Sequence, residues 1–536
     1  MNASENNKYR ELTLWIVIFF ILLALPTKLV FFQKNDFSLG KEFSQKASIR
    51  QSSIASKRGV IFDRNNYVLA EDIPSYEIGI SLKDFSFDPI HINLISTNLD
   101  LDIDRLKKRL ARKKTKYLVL NQKVAKQKKE HIQSLEIPGI VISKRTFKRN
   151  YPQGEIFSQL IGLTNYKNEG VNGIEFALDE TLKAEDGYQE KILSRKSGVI
   201  QNKIIKEPIN GSSVNLTVDS KMQFILFDKL KKAVEFHNAE SASGIMIDLD
   251  SNEILAMTNF PSFDPNNRKK LNNMELLKNN SAIELFEPGS TVKPLALSAL
   301  LKKNPELIES EVNTSPGWIE FEGFKTSDFR DYGILNLSQI ISLSSNVGMV
   351  KLCENQDIQH LINSYKKFGI GRYPTSIMIP AREGFLPHES LFTLRDKVSS
   401  CYGYGLTLSA LQIAQAYSVF ANGGNFVELN LFKDHSFGED HKNRVIKTET
   451  NKIIVEMLIE TVNTIGGTAS RARLKDYIVA GKTGTTNDSY DAWFMGYSSN
   501  LVAGVWVGHD TKERPLGIGE YGGKTALPIW MRYNRK

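Results

Sequence analysis

A chain of 536 residues is longer than one ordinary domain and predicts at least two folded units with connecting segments. Its composition, 41% hydrophobic and 24% charged, is that of a globular protein; its two cysteines show neither C-x-x-C nor a paired histidine spacing, so a disulfide framework and a zinc site are unsupported. The net charge of +9 would suit nucleic acid as a partner of a soluble chain, but much of the excess sits in one run from Arg105 to Glu130.

In chain order, residues 1–11 form a short polar tail with Lys8 and Arg10. The run LTLWIVIFFILLALPT from Leu12 to Thr27 is uncharged and reaches about 24 Å as a helix at 1.5 Å per residue, short of a bilayer core. The apolar pattern resumes after Lys28 with LVFF, and a lysine near a helix end can extend its amine to the interface, so residues 12–32 predict a transmembrane signal-anchor. No A-x-A-like cleavage site follows, which argues against a removed signal peptide. Lys28, Lys34 and Lys41 weaken a positive-inside argument, and the bulk of the chain sets the expected orientation: tail in the cytoplasm, the remaining mass on the outer, periplasmic face of the inner (cytoplasmic) membrane. That location removes nucleic acid as a partner. It leaves the lysine-rich run 105–130, with leucines at helical spacing, as a solvated helix face.

Residues 33–57 read as a polar neck, and a first folded region runs from 58 to 210. Its opening, RGVIFDRNNYVLAEDIPSYEIGIS, has short apolar runs broken by turn residues and predicts strands. A second region covers 211–536. DSKMQFILFDKLKKAVEFH has helical apolar spacing, and SGIMIDLDSNEILAMTNF predicts a hairpin. Further helices follow before strands return in YIVAGKTGTT, AWFMGYS and LVAGVWVGHD. Strands, helices, then strands predict an α+β domain whose antiparallel sheet draws on distant segments and carries flanking helices. Cys353 and Cys401 are expected as buried free thiols, with one bridge open to them in an oxidising compartment.

The chemistry lies in FEPGSTVKPLAL. Pro288 and Gly289 precede Ser290, a helical pattern follows, and Lys293 shares the helix face of Ser290 three residues on. Serine is a poor nucleophile without a base, and a lysine whose pKa is lowered by burial or nearby positive charge can be that base. Alone the spacing means little, since Ser38–Lys41 and Ser364–Lys367 repeat it. Its company is more specific: Ser344-Ser345-Asn346 downstream, then Lys482-Thr483-Gly484-Thr485, the only K-T-G in the chain. The first lies at a helix start, the second in a loop and the third on a strand.

With these motifs the chain resembles the penicillin-binding and serine β-lactamase superfamily. In RGVIFDRN, YPQGEIFSQLIG, GIEFALDETL, LFEPGSTVKP, SSNVG and CYGYGLTLSALQIAQAYSVFANGG it is similar to class B penicillin-binding proteins of the cell-division type. The residue after D-R-N, glycine in that family, is Asn66, and the segments after K-T-G are more like the bifunctional class A enzymes. Glu71-Asp72 and Glu439-Asp440 lack the Phe and His of the E-D-x-x-F-x-x-H glycosyltransferase signature, so that activity is not expected. The resemblance implies a membrane-anchored protein with an elongated, strand-rich pedestal or dimerisation-like domain (58–210) and a transpeptidase domain (211–536). It implies a peptidoglycan D,D-transpeptidase that needs no metal or cofactor. Its substrates would be stem peptides ending in D-Ala-D-Ala and its covalent inhibitors β-lactams, with a membrane glycosyltransferase and other division proteins as partners. Ser290 would be the nucleophile, Lys293 its base, Ser344 with Lys482 a proton relay, and Asn346 an orienting amide. Thr483, Gly484 and Thr485 would bind substrate, with the N–H groups of Ser290 and Thr485 as oxyanion hole. A D,D-carboxypeptidase or β-lactamase-like hydrolase, and a non-catalytic division scaffold or β-lactam sensor, are the competing readings.

Overall fold

The computed structural model describes residues 10–28, 30–31, 49–112, 116–194, 198–268, 271, 273–321, 323–388, 390, 393–433, 443–486, 489–509, 514–517 and 519–534. Lys8, Lys34, Lys41, Ser38 and the Glu439-Asp440 pair lie outside the described residues. By chain contacts the protein divides into two units, Met1–Lys57 with Ala184–Asn210, and Arg58–Lys183 with Gly211–Lys536.

Among the described residues, the first unit holds one helix, Arg10–Lys28, long and apolar enough to cross a membrane. It also holds a three-stranded sheet in which Gly187–Ser194 pairs antiparallel with both Ile49–Ile54 and Gly198–Lys206.

In the second unit, after a short strand at Ile61–Phe62, a long strand, β1 (Val68–Ser81), pairs antiparallel with β2 (Tyr117–Ala125) and β3 (Ile140–Asn150). Before β1, the turn at Asn66 has φ 63°, a left-handed conformation that asparagine tolerates in place of glycine. The run 105–130 corrects the sequence expectation. Among the described residues, Ile103–Ala111 and Lys126–Ser134 are the helical parts around it, and YLVLNQKVA between them is β2. Its β-branched and aromatic residues complete the sheet on β1, which outweighs the helical spacing of the lysine-flanked leucines.

The rest is built on a five-stranded antiparallel sheet. α1 (Ser220–His237), capped by Asp219, leads into the hairpin of β4 (Ser241–Asp248) and β5 (Ile254–Phe260). Then come α2 (Lys293–Lys303), a small hairpin of β6 (Trp318–Phe321) and β7 (Phe324–Ser327), α3 (Asn346–Cys353), α4 (Leu394–Ser400), α5 (Ala410–Ala421) and α6 (Thr448–Asn463). β8 (Val479–Thr485), β9 (Asp491–Ser498) and β10 (Leu501–Gly508) close the sheet before α7 (Leu527–Asn534). The spatial order is β5-β4-β10-β9-β8, so chain ends meet in the middle and β8 lies at an edge.

β10, LVAGVWVG, reads as an unbroken apolar run because both faces of the sheet are covered. Alternate residues divide between two cores, as the two-residue strand period requires. Ile245, Ile247, Trp493, Met495, Val502 and Trp506 pack into the larger core with α2 and α5. Ala242, Met246, Phe494, Val505 and Val507 pack with Leu230, Leu527 and Trp530 of α1 and α7. α5 is buried from Ala410 to Phe420, and Lys293–Leu301 of α2 are likewise buried, so α2 is a core helix with its charged end inside.

The cysteines correct a second expectation. Cys353 and Cys401 form a disulfide joining the last residue of α3 to the C-cap of α4.

Candidate active site

Gly289–Val292 is a 3-10 turn, and the α-helix proper begins at Lys293 with Pro294 in its first turn. Ser290 therefore precedes α2 by one tight turn, in which residues three apart eclipse. The turn is held on several sides. Phe286 stacks on Trp506 with ring centroids 3.7 Å apart, and its backbone pairs with Leu408. Trp493 Nε1 donates to the Glu287 carbonyl at 3.1 Å, and the buried Tyr417 hydroxyl donates to the Thr291 carbonyl at 2.8 Å.

The edge strand β8 lies against this turn. A Cβ on Gly289 would come within 3.0 Å of the Thr485 carbonyl oxygen and 3.4 Å of its nitrogen. A Cβ on Gly484 would lie 2.8 Å from the Pro288 carbonyl oxygen. Gly484, expected from the resemblance to bind substrate, has the turn that carries Ser290 packed against its Cα. Thr483 is 5% exposed, and Thr485 Oγ1 accepts the Gly522 N–H at 3.1 Å, which leaves its own proton to donate.

Ser344 occupies the turn before α3 in a left-handed conformation, φ 62°, uncommon for serine and concentrated at functional sites. Two buried amines reach it. Lys482 Nζ donates to Ser344 Oγ at 2.8 Å and to the Thr483 carbonyl at 3.1 Å. Lys293 Nζ donates to the Ser344 carbonyl at 2.7 Å and to Asn346 Oδ1 at 2.8 Å, and lies 3.3 Å from Ser344 Oγ. Three segments far apart in sequence thus meet around one hydroxyl.

Both lysines are 0% exposed. Burial pulls Lys293 down to about 7, while the negative charge of Asp328 acts against it. Lys482 falls well below its ordinary value, through burial first and the Lys293 charge second. A neutral amine is therefore present in the site near neutral pH. If that amine is Lys293, the Ser344 and Asn346 carbonyl oxygens, which can only accept, take both its N–H groups. Its lone pair is then left for a hydroxyl.

The penicillin binding protein transpeptidase domain matches residues 242–532, a span that holds all three converging segments. The chain belongs to the penicillin-binding protein transpeptidase family. The penicillin-binding protein dimerisation domain matches residues 53–216 ahead of it. The peptidoglycan D,D-transpeptidase FtsI of Buchnera aphidicola subsp. Schizaphis graminum is 30% identical, over 98% of this chain and 94% of its own length. FtsI of Escherichia coli strain K12 is 30% identical over 90% of this chain and 83% of its own. Together these place the chain with the class B members, of the FtsI type. The crystal structure of a peptidoglycan synthetase from Bifidobacterium adolescentis shares the fold, with a TM-score of 0.66 at 22% identity, over 91% of this chain and 95% of that one.

The sequence reading missed Asp328 in KTSDFR. Just past β7, its carboxylate accepts the Asn346 N–H, the Val347 N–H at 3.0 Å and the Ser345 hydroxyl at 2.6 Å. A lone aspartate eighteen residues upstream carries no local signal for this contact. Gly403 and Gly405 of CYGYGLT have φ of 99° and 77°.

Proposed function

We propose that this protein is a serine-type peptidoglycan D,D-transpeptidase of septal wall synthesis. We assign residues 12–32 as its single membrane span, 58–210 as its pedestal and 211–536 as its catalytic domain, on the periplasmic face. The observation that carries the reading is the meeting of Lys293 and Lys482 at Ser344 Oγ, beside the turn that presents Ser290. Ser290 Oγ attacks the carbonyl of the penultimate D-alanine, and its proton passes to neutral Lys293. The oxyanion falls between the N–H groups of Ser290 and Thr485, each worth roughly 3–4 kcal/mol in comparable acyl transfers. The C–N bond then breaks, and the proton Lys293 took from Ser290 passes through Ser344 Oγ, held in place by Lys482, to the leaving D-alanine amine, which returns Lys293 to its neutral form. The Thr483 and Thr485 hydroxyls hold the terminal carboxylate, and Asn346 orients Lys293. An amine of a neighbouring stem attacks the acyl-enzyme carbonyl, the ester bond to Ser290 Oγ breaks, and a proton from the amine returns to Ser290 through Lys293, which closes the cross-link and restores the free enzyme. A membrane glycosyltransferase that supplies the glycan strands, together with other division proteins, would be the partners.

The test uses the full-length protein in detergent with a D-Ala-D-Ala stem peptide and an amine acceptor. Mass spectrometry should find the acceptor joined to the penultimate D-alanine. Release of the acyl group to water alone, at any acceptor concentration, would mark a hydrolase instead. Labelling by penicillin with neither outcome would mark a sensor.

A further inference from the structure

The strip Ser327-Asp328 at the end of β7 grips Asn346 twice. Asp328 Oδ1 accepts the Asn346 and Val347 N–H groups, and Oδ2 accepts the Ser345 hydroxyl. Ser345 Oγ in turn accepts the Gly348 N–H at 2.8 Å as the N-cap of α3. The carboxylate therefore extends the cap over the helix N-terminus, where negative charge is favoured. The second grip is on the side chain: Asn346 Nδ2 donates to the Ser327 carbonyl at 3.1 Å. A carbonyl can only accept, so this bond fixes which way the amide faces and turns Oδ1 toward Lys293.

This double clamp depends on Asp328 staying in place. Its own N–H is bound to the Gly317 carbonyl at 2.9 Å, while the next residue, Phe329, is 97% exposed. The carboxylate thus anchors α3 to an otherwise outward-turning segment.

We propose that Asp328 is a positioning residue for acylation: its carboxylate holds the start of α3 so that Asn346 and the Ser344 carbonyl aim the Lys293 amine at Ser290. The inference rests on the transpeptidase reading above. It separates two effects of one group. By geometry, Asp328 sets how often the amine is aimed. By charge, it favours the protonated form of Lys293, opposing burial, while Lys482, itself pulled well down by burial, is the other titratable amine at Ser344 Oγ. Tyr332 also feels the Asp328 charge, with Arg330 acting the other way.

Asp328→Asn keeps an acceptor for the two N–H groups and removes the charge; Asp328→Ala removes both. The readout is the second-order rate of acylation by a fluorescent penicillin in full-length protein, from pH 5 to 9, normalised to the sites that finally label. Asp328→Ala should lower the high-pH plateau about 10- to 100-fold, the size expected of a misaimed catalytic group. Asp328→Asn should keep more of the plateau and move the acidic limb to lower pH, because Lys293 loses the charge that favours its proton. A merely structural residue would lower the melting temperature and the number of labelled sites while each surviving site kept the wild-type plateau and limb; that result overturns the inference. So does failure of both variants to fold, which would assign Asp328 to folding alone. If Ser290→Ala still labels, the transpeptidase reading fails instead, whatever the Asp328 variants do.

Discussion

Gly403 and Gly289 touch backbone to backbone. The Gly289 N–H donates to the Gly403 carbonyl at 3.2 Å, and a Cβ on Gly403 would fall 2.0 Å from the Gly289 carbonyl oxygen. Only glycine lets this loop seat the nucleophile turn, and φ of 99° adds a second reason. Gly403→Ala should lower penicillin acylation by at least about 100-fold through displacement of Ser290. Gly405→Ala is the control. Its Cβ would meet nothing nearer than Ser399 Oγ at 4.0 Å, so it should cost about 1 kcal/mol of stability and leave labelling near normal. Equal labelling by the two variants would contradict this account of the turn.

The pH dependence follows from Lys293. Only its neutral form can take the Ser290 proton, and burial brings its pKa to about 7. Below that pH the amine is protonated and the base is absent; above it the base is present. Acylation should therefore rise with pH through about 7 and level off above it, as stopped-flow labelling between pH 5 and 9 can follow. A rate that is flat across this range, or that falls with rising pH, would remove Lys293 as the base.

The Cys353–Cys401 bridge closes a stretch with a sequence separation of 48 and ties the far end of α3 to the segment that leads into Gly403. Two walls of the cleft are thereby cross-linked. Reduction should lower stability by about 2–4 kcal/mol. Thermal melts with and without reductant check this, with alkylation and mass measurement to count free thiols. Unchanged melting after proven reduction would contradict it.

Within the span matched by the dimerisation domain, Glu175 bridges two buried arginines, with Oε2 2.7 Å from Arg58 Nε and Oε1 2.6 Å from Arg149 Nε. Asp179 and Asp72 complete the cluster at 2.6 Å and 3.5 Å. Glu175→Ala leaves two buried guanidinium groups short of a partner and should cost about 3–5 kcal/mol, read as a shift in the denaturant midpoint. A loss below about 1 kcal/mol, the scale of surface pairs, would show that the cluster does not hold this region together.

Much of the catalytic sheet could be read from the sequence because its strands are covered on both sides. LVAGVWVG has no polar break, and burial on two faces is what such a run means. The placing of Ser290 in a turn that leads straight into the helix of Lys293 was legible for a local reason, a spacing of three at a helix start. The lysine-rich run misled because its charges suggest a solvated helix, while the edge of β1 decides that YLVLNQKVA is a strand. Asp328 and the disulfide were hidden for a common reason. Each contact exists only after α3 has packed against β7 and α4, and nothing near Asp328, Cys353 or Cys401 in sequence encodes that packing.

The central claim is that Ser290 becomes acylated with Lys293 as its base. Peptide mapping by mass spectrometry after exposure of the full-length protein to penicillin tests it most directly. The expected result is a single adduct on the peptide that contains Ser290, lost in Ser290→Ala and formed far more slowly in Lys293→Ala. An adduct on any other peptide, or labelling that survives Ser290→Ala at an unchanged rate, would contradict the account.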